Sequence, residues 1–174
     1  MRATKKLTLS AILVALGAVM MALGAMFEVV DLTVCALASL IVVFAYLEIG
    51  SPYTWLLWLS TSLVTFIIFP GKTIWLNYLI VFGVYPLLKA YIEKLPKLSW
   101  IPIKLVYINA VIWAMFFLME WLFGVPFFEK DALWLKIVLY VVINFAFIVY
   151  DLFITVSVKI YYGKIRQKFI RFLK

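Results

Sequence analysis

Between Leu7 and Tyr161 the chain is a series of six long apolar runs joined by short polar breaks, and no motif narrows the fold as much. A helix crosses the hydrocarbon core of a bilayer with roughly 20 mostly apolar residues. Runs at 7–27, 32–47, 52–69, 73–92, 101–123 and 132–161 meet or approach that length. Hydrophobic residues make up 68% of the 174, against about 45–50% in soluble domains. A water-soluble fold of this size has no interior large enough to hide them. In lipid the backbone must satisfy its own hydrogen bonds, which a helix does within one segment. The sequence therefore predicts an all-α integral membrane protein: a six-transmembrane-helix bundle forming one domain over 1–174, with a basic tail at 162–174.

Local chemistry marks the boundaries. In "EIGSP" Ser51 is placed to cap the third helix, and Pro52 to sit in its first turn, where a missing N–H costs nothing. "PGK" closes that helix and "PKLSWIP" leads into the fifth. Pro86 is expected to kink the fourth and free a carbonyl. The N-terminal stretch has the basic head of a signal peptide, but its apolar run exceeds the usual 7–15 residues, so it reads as a retained first span. Cys35 reads as a small packing residue. Histidine is absent, which removes His-based dyads, triads and metal ligands.

Six spans place both termini on one side. The terminal side collects thirteen Lys and Arg residues, including Lys5, Lys6, Lys104 and Lys164, while the other holds only Lys72, Lys130 and Lys136. This bias puts both termini in the cytoplasm. It also accounts for the net charge of +8 without nucleic acid. The acids Glu28, Asp31, Glu129 and Asp131 fall in outer loops. The tail "GKIRQKFIRFLK" interleaves basic and apolar residues, a pattern suited to anionic headgroups or to a cytoplasmic partner.

The first span carries two stripes of small residues. Ala11, Ala15, Ala18, Ala22 and Ala25 fall within about 80° of one another on a helix. Ser10, Gly17 and Gly24 form the second. Lipid contact needs no small residues; close approach of two helices does. Either both stripes pack within the bundle, or one is presented to a membrane partner.

A six-span chain of this length, with "AILVA" (Ala11-x-x-x-Ala15) in the cytoplasmic half of span one beside the basic "MRATKK", resembles the S components of energy-coupling factor (ECF) transporters. The resemblance implies a substrate-binding subunit in the plasma membrane of a bacterium or archaeon. Its ligand would be a small vitamin-like nutrient. Docking on a transmembrane T component, driven by two ATPase subunits, would run through the alanine face: Ala11, Ala15, Ala18 and Ala22. None of the ligand-reading motifs of the riboflavin, thiamin, folate or biotin binders is present, so the substrate stays open.

Polar residues within the spans are few, because a charge at mid-bilayer costs about 2.5–3.5 kcal/mol on insertion scales. By depth, Trp75, Asn77, Tyr78, Trp113, Glu120, Trp121 and Asn144 are candidates to line an outward pocket of aromatic walls and directional polar groups. Glu28 and Asp31 lie on the loop that would cover it. Each has a plainer reading: Trp75 and Trp121 as interfacial belt, the asparagines as interhelical bonds, Glu120 as reaching the outer interface. Asp151 and Asn109 lie deeper, with Lys89 as a candidate partner for Asp151. Asp31 and Asp151 fall on opposite membrane sides, which argues against an aspartyl hydrolase, and no catalytic residue, cofactor or metal is expected. No Walker A pattern is present. A non-transport membrane scaffold or envelope-organising protein is the alternative.

Overall fold

The computed structural model describes residues 3–124 and 133–166. The described residues are all-helical, and among them are six helices long and apolar enough to cross a membrane, at Ala3–Met26, Asp31–Glu48, Ser51–Ile68, Ile74–Ile92, Lys97–Phe123 and Trp134–Lys164. Each of them begins or ends within two residues of an expected bound. The first starts earlier, because Thr4, Lys5 and Lys6 continue the helix out of the apolar run, with the Thr8 hydroxyl donating to the Thr4 carbonyl. The sixth ends beyond its expected bound, carrying helix as far as Arg166. The chain divides into two compact units, 1–91 and 92–174.

In the first unit α1 (Ala3–Met26) packs on both α2 (Asp31–Glu48) and α3 (Ser51–Ile68), which also touch each other. The two small-residue stripes separate here. Ser10, Gly17 and Gly24 face inward and are buried. A Cβ on Gly17 would lie 3.0 Å from Thr61 Cγ2 on α3, and one on Gly24 would lie 2.7 Å from Ile74 Cδ1 and 3.0 Å from Val34 Cβ. The absence of side chains at these points lets the backbones close up, which is how helices adhere in lipid.

Helix ends follow local chemistry, with one departure from expectation. Gly50, at φ +101°, turns the chain from α2 into α3 and is the N-cap residue, with no side-chain cap. An L side chain is strained at that φ. Ser51 is already inside the helix, so it does not cap; its hydroxyl shares a 2.7 Å hydrogen bond with the Tyr91 hydroxyl instead. Pro52 occupies the first turn. Lys6 Nζ donates to the Ile49 carbonyl at 2.9 Å and lies over the Tyr53 ring. The start of α1 is thereby tied to the α2–α3 turn. The opposite end of the unit holds Met26, the start of α2, and the loop from α3 to Ile74.

Span four is not one helix. α4 (Ile74–Asn77) runs into a π-turn at Tyr78–Phe82, and α5 (Tyr85–Ile92) resumes after it. Pro86 has no N–H to give the Phe82 carbonyl, and the Gly83 N–H bonds the Tyr78 carbonyl at 2.7 Å in the wider π register.

The second unit contains α6 (Trp100–Phe123) and α7 (Leu133–Ile160), with a 3-10 turn at Lys97–Ser99 before α6 and a π-turn at Tyr161–Ile165 after α7. α6 ends on Gly124, in the left-handed conformation at φ +62°. The two helices run antiparallel: Lys104 meets Asp151, Tyr107 meets Phe147, and the Tyr140 hydroxyl donates to Asn109 Oδ1.

Candidate functional site

A cleft of about 380 Å³ opens at the end of the first unit away from Lys6. Gly24 and Ala25, at the end of α1, form one side; Asp31, in the first turn of α2, forms another; residues 71–74 close the third. Its volume falls near the lower end of the usual range of small-molecule sites, about 300–1,000 Å³. The lining carries one carboxylate, Asp31, and one ammonium, Lys72, with the Thr73 hydroxyl beside them. Asp31 Oδ1 accepts the Leu32 N–H at 2.6 Å. That bond sits at a helix N-terminus, where negative charge is favoured, and it fixes the carboxylate at the cleft wall.

Of the residues expected to line a pocket, Asp31 is the one that lines this cleft. Glu28 opens a 3-10 turn just before α2, and its side chain lies outside the described part of the chain. Trp75, Asn77 and Tyr78 follow in span four behind Ile74. Tyr78 is fully buried in the core of the first unit. Its hydroxyl and Thr61 Oγ1 are both buried, and neither has a hydrogen-bond partner among the described residues. The Trp75 ring meets Phe66 edge-on at 4.7 Å, and its buried Nε1 has no hydrogen-bond partner among the described residues. Cys35 is fully buried as well, its thiol donating to the Ile74 carbonyl at 3.7 Å.

The remaining candidates belong to the second unit. Trp113 and Trp121 are 61% and 72% exposed on α6, and Glu120 is exposed beside them. Asn144 Nδ2 donates to the Tyr140 carbonyl one turn earlier on its own helix, at 3.0 Å. Asn109 Nδ2 does the same to Leu105 at 2.7 Å while its Oδ1 accepts from Tyr140. The amides of both asparagines thus make helix contacts. Asp151 binds Lys104, with Nζ 3.0 and 2.9 Å from its two oxygens, and Lys104 also reaches Glu93 Oε1 at 3.2 Å. Lys89, the partner considered from sequence, is buried in the first unit.

Sequence reasoning passed over most of the cleft. Lys72 counted only as one charge of the outer side, and Gly24 only as a packing residue. The signal that could have found them was proximity: Gly24 and Ala25 end span one, Asp31 begins span two, and 71–74 begin span four, so three adjacent helix ends meet at one membrane face.

The alanine stripe divides along its length. Ala11 and Ala15 are exposed, Ala18 and Ala22 half-buried, and Ala25 buried at the cleft. No protein-family model matches the sequence, and neither a curated protein nor a solved structure does.

Proposed function

We propose that the chain is the substrate-capture subunit of an ECF-type importer, holding a small nutrient in the cleft beside Asp31 and Lys72 and docking on a membrane T component through span one. The observation that carries this reading is the split of α1 into two small-residue faces. Ser10, Gly17 and Gly24 are spent on packing within the first unit, whereas Ala11 and Ala15 leave a small, smooth surface exposed at the Lys6 end. A helix facing only lipid gains nothing from alanine there, but a second helix packs closely against it.

With both termini in the cytoplasm, as the basic bias favours, the alanine surface lies in the inner half of the plasma membrane and the cleft opens outward. Ligand enters from outside. The unit then moves against the T component along the alanine face, and ATP is hydrolysed by partner subunits of a bacterial or archaeal membrane.

The test is co-purification of this chain with a T component and its ATPases, using Ala11→Trp and Ala15→Trp. Both variants should lose the complex while keeping their own fold and any bound small molecule. Normal complex formation by both would overturn the docking reading.

A further inference from the structure

The geometry points to a gate: the outer half of span four, residues 71–78, turns about the π-turn at Tyr78–Phe82 and lifts Ile74 off the floor of the cleft. This goes beyond the capture reading, since a moving wall belongs to the fold whether or not the chain docks on a partner.

The break divides span four into a held half and a loosely held one. Inward of it, Tyr85, Leu87 and Lys89 are buried. Trp58 Nε1 pins the turn itself, donating to the Leu79 carbonyl at 3.1 Å. Outward of it stands a single turn of helix, Ile74–Asn77, and a loop in which Gly71 has open space around it. A π-turn interrupts the regular ladder of the helix, so the segment beyond it bends there at low cost.

The outer half also buries polar atoms that it does not satisfy. Tyr78 Oη and Trp75 Nε1 are buried with no hydrogen-bond partner among the described residues. On α3, by contrast, the hydroxyls of Thr54, Ser62 and Thr65 each donate to the carbonyl one turn earlier. A buried donor left unmet costs more than a typical bond contributes. Packing therefore holds the segment closed against a polar cost, and turning it outward lets both donors reach water from the cleft.

What the movement uncovers is equally specific. Ile74 is 1% exposed, and its Cδ1 fills the space that a Gly24 Cβ would need. Its carbonyl accepts the Cys35 thiol at 3.7 Å, and a thiol is a weak donor. Cys35 stands one helical turn below Asp31 on α2 and is fully buried. With Ile74 lifted, the cleft deepens as far as Cys35.

The native thiol is therefore the reporter. The detergent-purified full chain is treated with excess N-ethylmaleimide well below its Tm, and addition to Cys35 is followed by intact mass. Wild type should react over hours, far more slowly than an exposed thiol. Tyr78→Phe removes an unmet hydroxyl from the closed position, so Cys35 should react on the order of tenfold more slowly, with the Tm unchanged or higher. Gly50→Ala, strained at φ +101° at the other end of the unit, should lower the Tm and leave the rate as in wild type. Amide exchange of the wild-type chain should show 71–78 opening before 54–65 of α3, which decides the matter even if a variant fails to fold. A thiol inert until the whole unit unfolds overturns the gate, as does a Gly50→Ala rate that rises in step with its lost stability. So does a Tyr78→Phe chain that labels as fast as wild type or faster. None of these outcomes touches docking at Ala11 and Ala15, which co-purification decides separately.

Discussion

Gly17 on α1 approaches Thr61 on α3 so closely that one added carbon would stand 3.0 Å from the Thr61 Cγ2 methyl and 3.3 Å from its hydroxyl. This contact holds together the face of α1 opposite to the exposed alanines. Because apolar side chains gain nothing by leaving lipid for one another, the strength of this seam lies in close backbone approach. Gly17→Val should therefore lower the stability of the first unit by about 1–3 kcal/mol, the usual cost of overpacking. Thr61→Ala in the same chain should recover part of the loss by removing the opposing atoms. Ala11→Val, on the exposed side, should change little. Thermal unfolding in detergent checks all three, and equal losses at positions 11 and 17 would contradict the assignment of the two faces.

The charged group of the second unit gives the next expectation. Lys104 is only 13% exposed and Asp151 18%, and they meet at 2.9 Å. Removing one partner of such a pair strands the other, which is worse than replacing both. Asp151→Asn should cost less than the ~3–5 kcal/mol of a fully buried pair, because Glu93, also on Lys104, softens the loss. Ligand affinity at the cleft should be unaffected. The double variant Lys104→Met with Asp151→Leu should be more stable than Asp151→Asn alone. Unfolding curves for the three chains, with ligand binding measured in parallel, decide it; unchanged stability with lost binding would give Asp151 a different role.

The six spans were legible because length and apolarity alone define a membrane helix. What was not legible depended on which helix ends meet. Asp151 pairs with Lys104 because α6 and α7 run antiparallel in a register that no single segment encodes. Trp113 and Asn144 matched the residue types of a pocket, yet on their helices Trp113 is exposed and Asn144 bonds its own backbone. Apart from Asp31, the cleft is built from glycine, alanine, threonine, isoleucine and one lysine, residue types that carry no pocket signature. The break in span four was partly visible at Pro86, but the contact of Trp58 with the π-turn at Tyr78–Phe82, its Nε1 donating to the Leu79 carbonyl, is one that only the fold brings about.

That break is sensitive to a single methyl. A Cβ on Gly83 would lie 2.5 Å from Trp58 Cδ1 and 2.8 Å from the Tyr78 carbonyl oxygen. The indole can shift, although its Nε1 donates to the Leu79 carbonyl at 3.1 Å. The carbonyl cannot, since it accepts the Gly83 N–H that defines the turn. Gly83→Ala should therefore destabilise the first unit by about 1–3 kcal/mol. Clearing the indole with Trp58→Leu should fail to restore it. Recovery in that double variant would mean that the backbone contact is the softer of the two.

The orientation of the first unit can be read with one reagent. Gly71 lies at the cleft with open space where a Cβ would be, and Thr4 is exposed at the opposite end of α1. The native chain serves as its own blank, because Cys35 is fully buried and its thiol is occupied by the Ile74 carbonyl. In intact cells a membrane-impermeant maleimide should label Gly71→Cys and leave Thr4→Cys untouched until the membrane is opened. The basic bias of the chain predicts this direction, and capture from outside requires it. The reverse pattern would place the cleft in the cytoplasm and the exposed alanines in the outer half of the membrane, beyond the reach of any cytoplasmic motor acting at the Lys6 end. In that case importer function would fail, even if the cleft still bound a ligand.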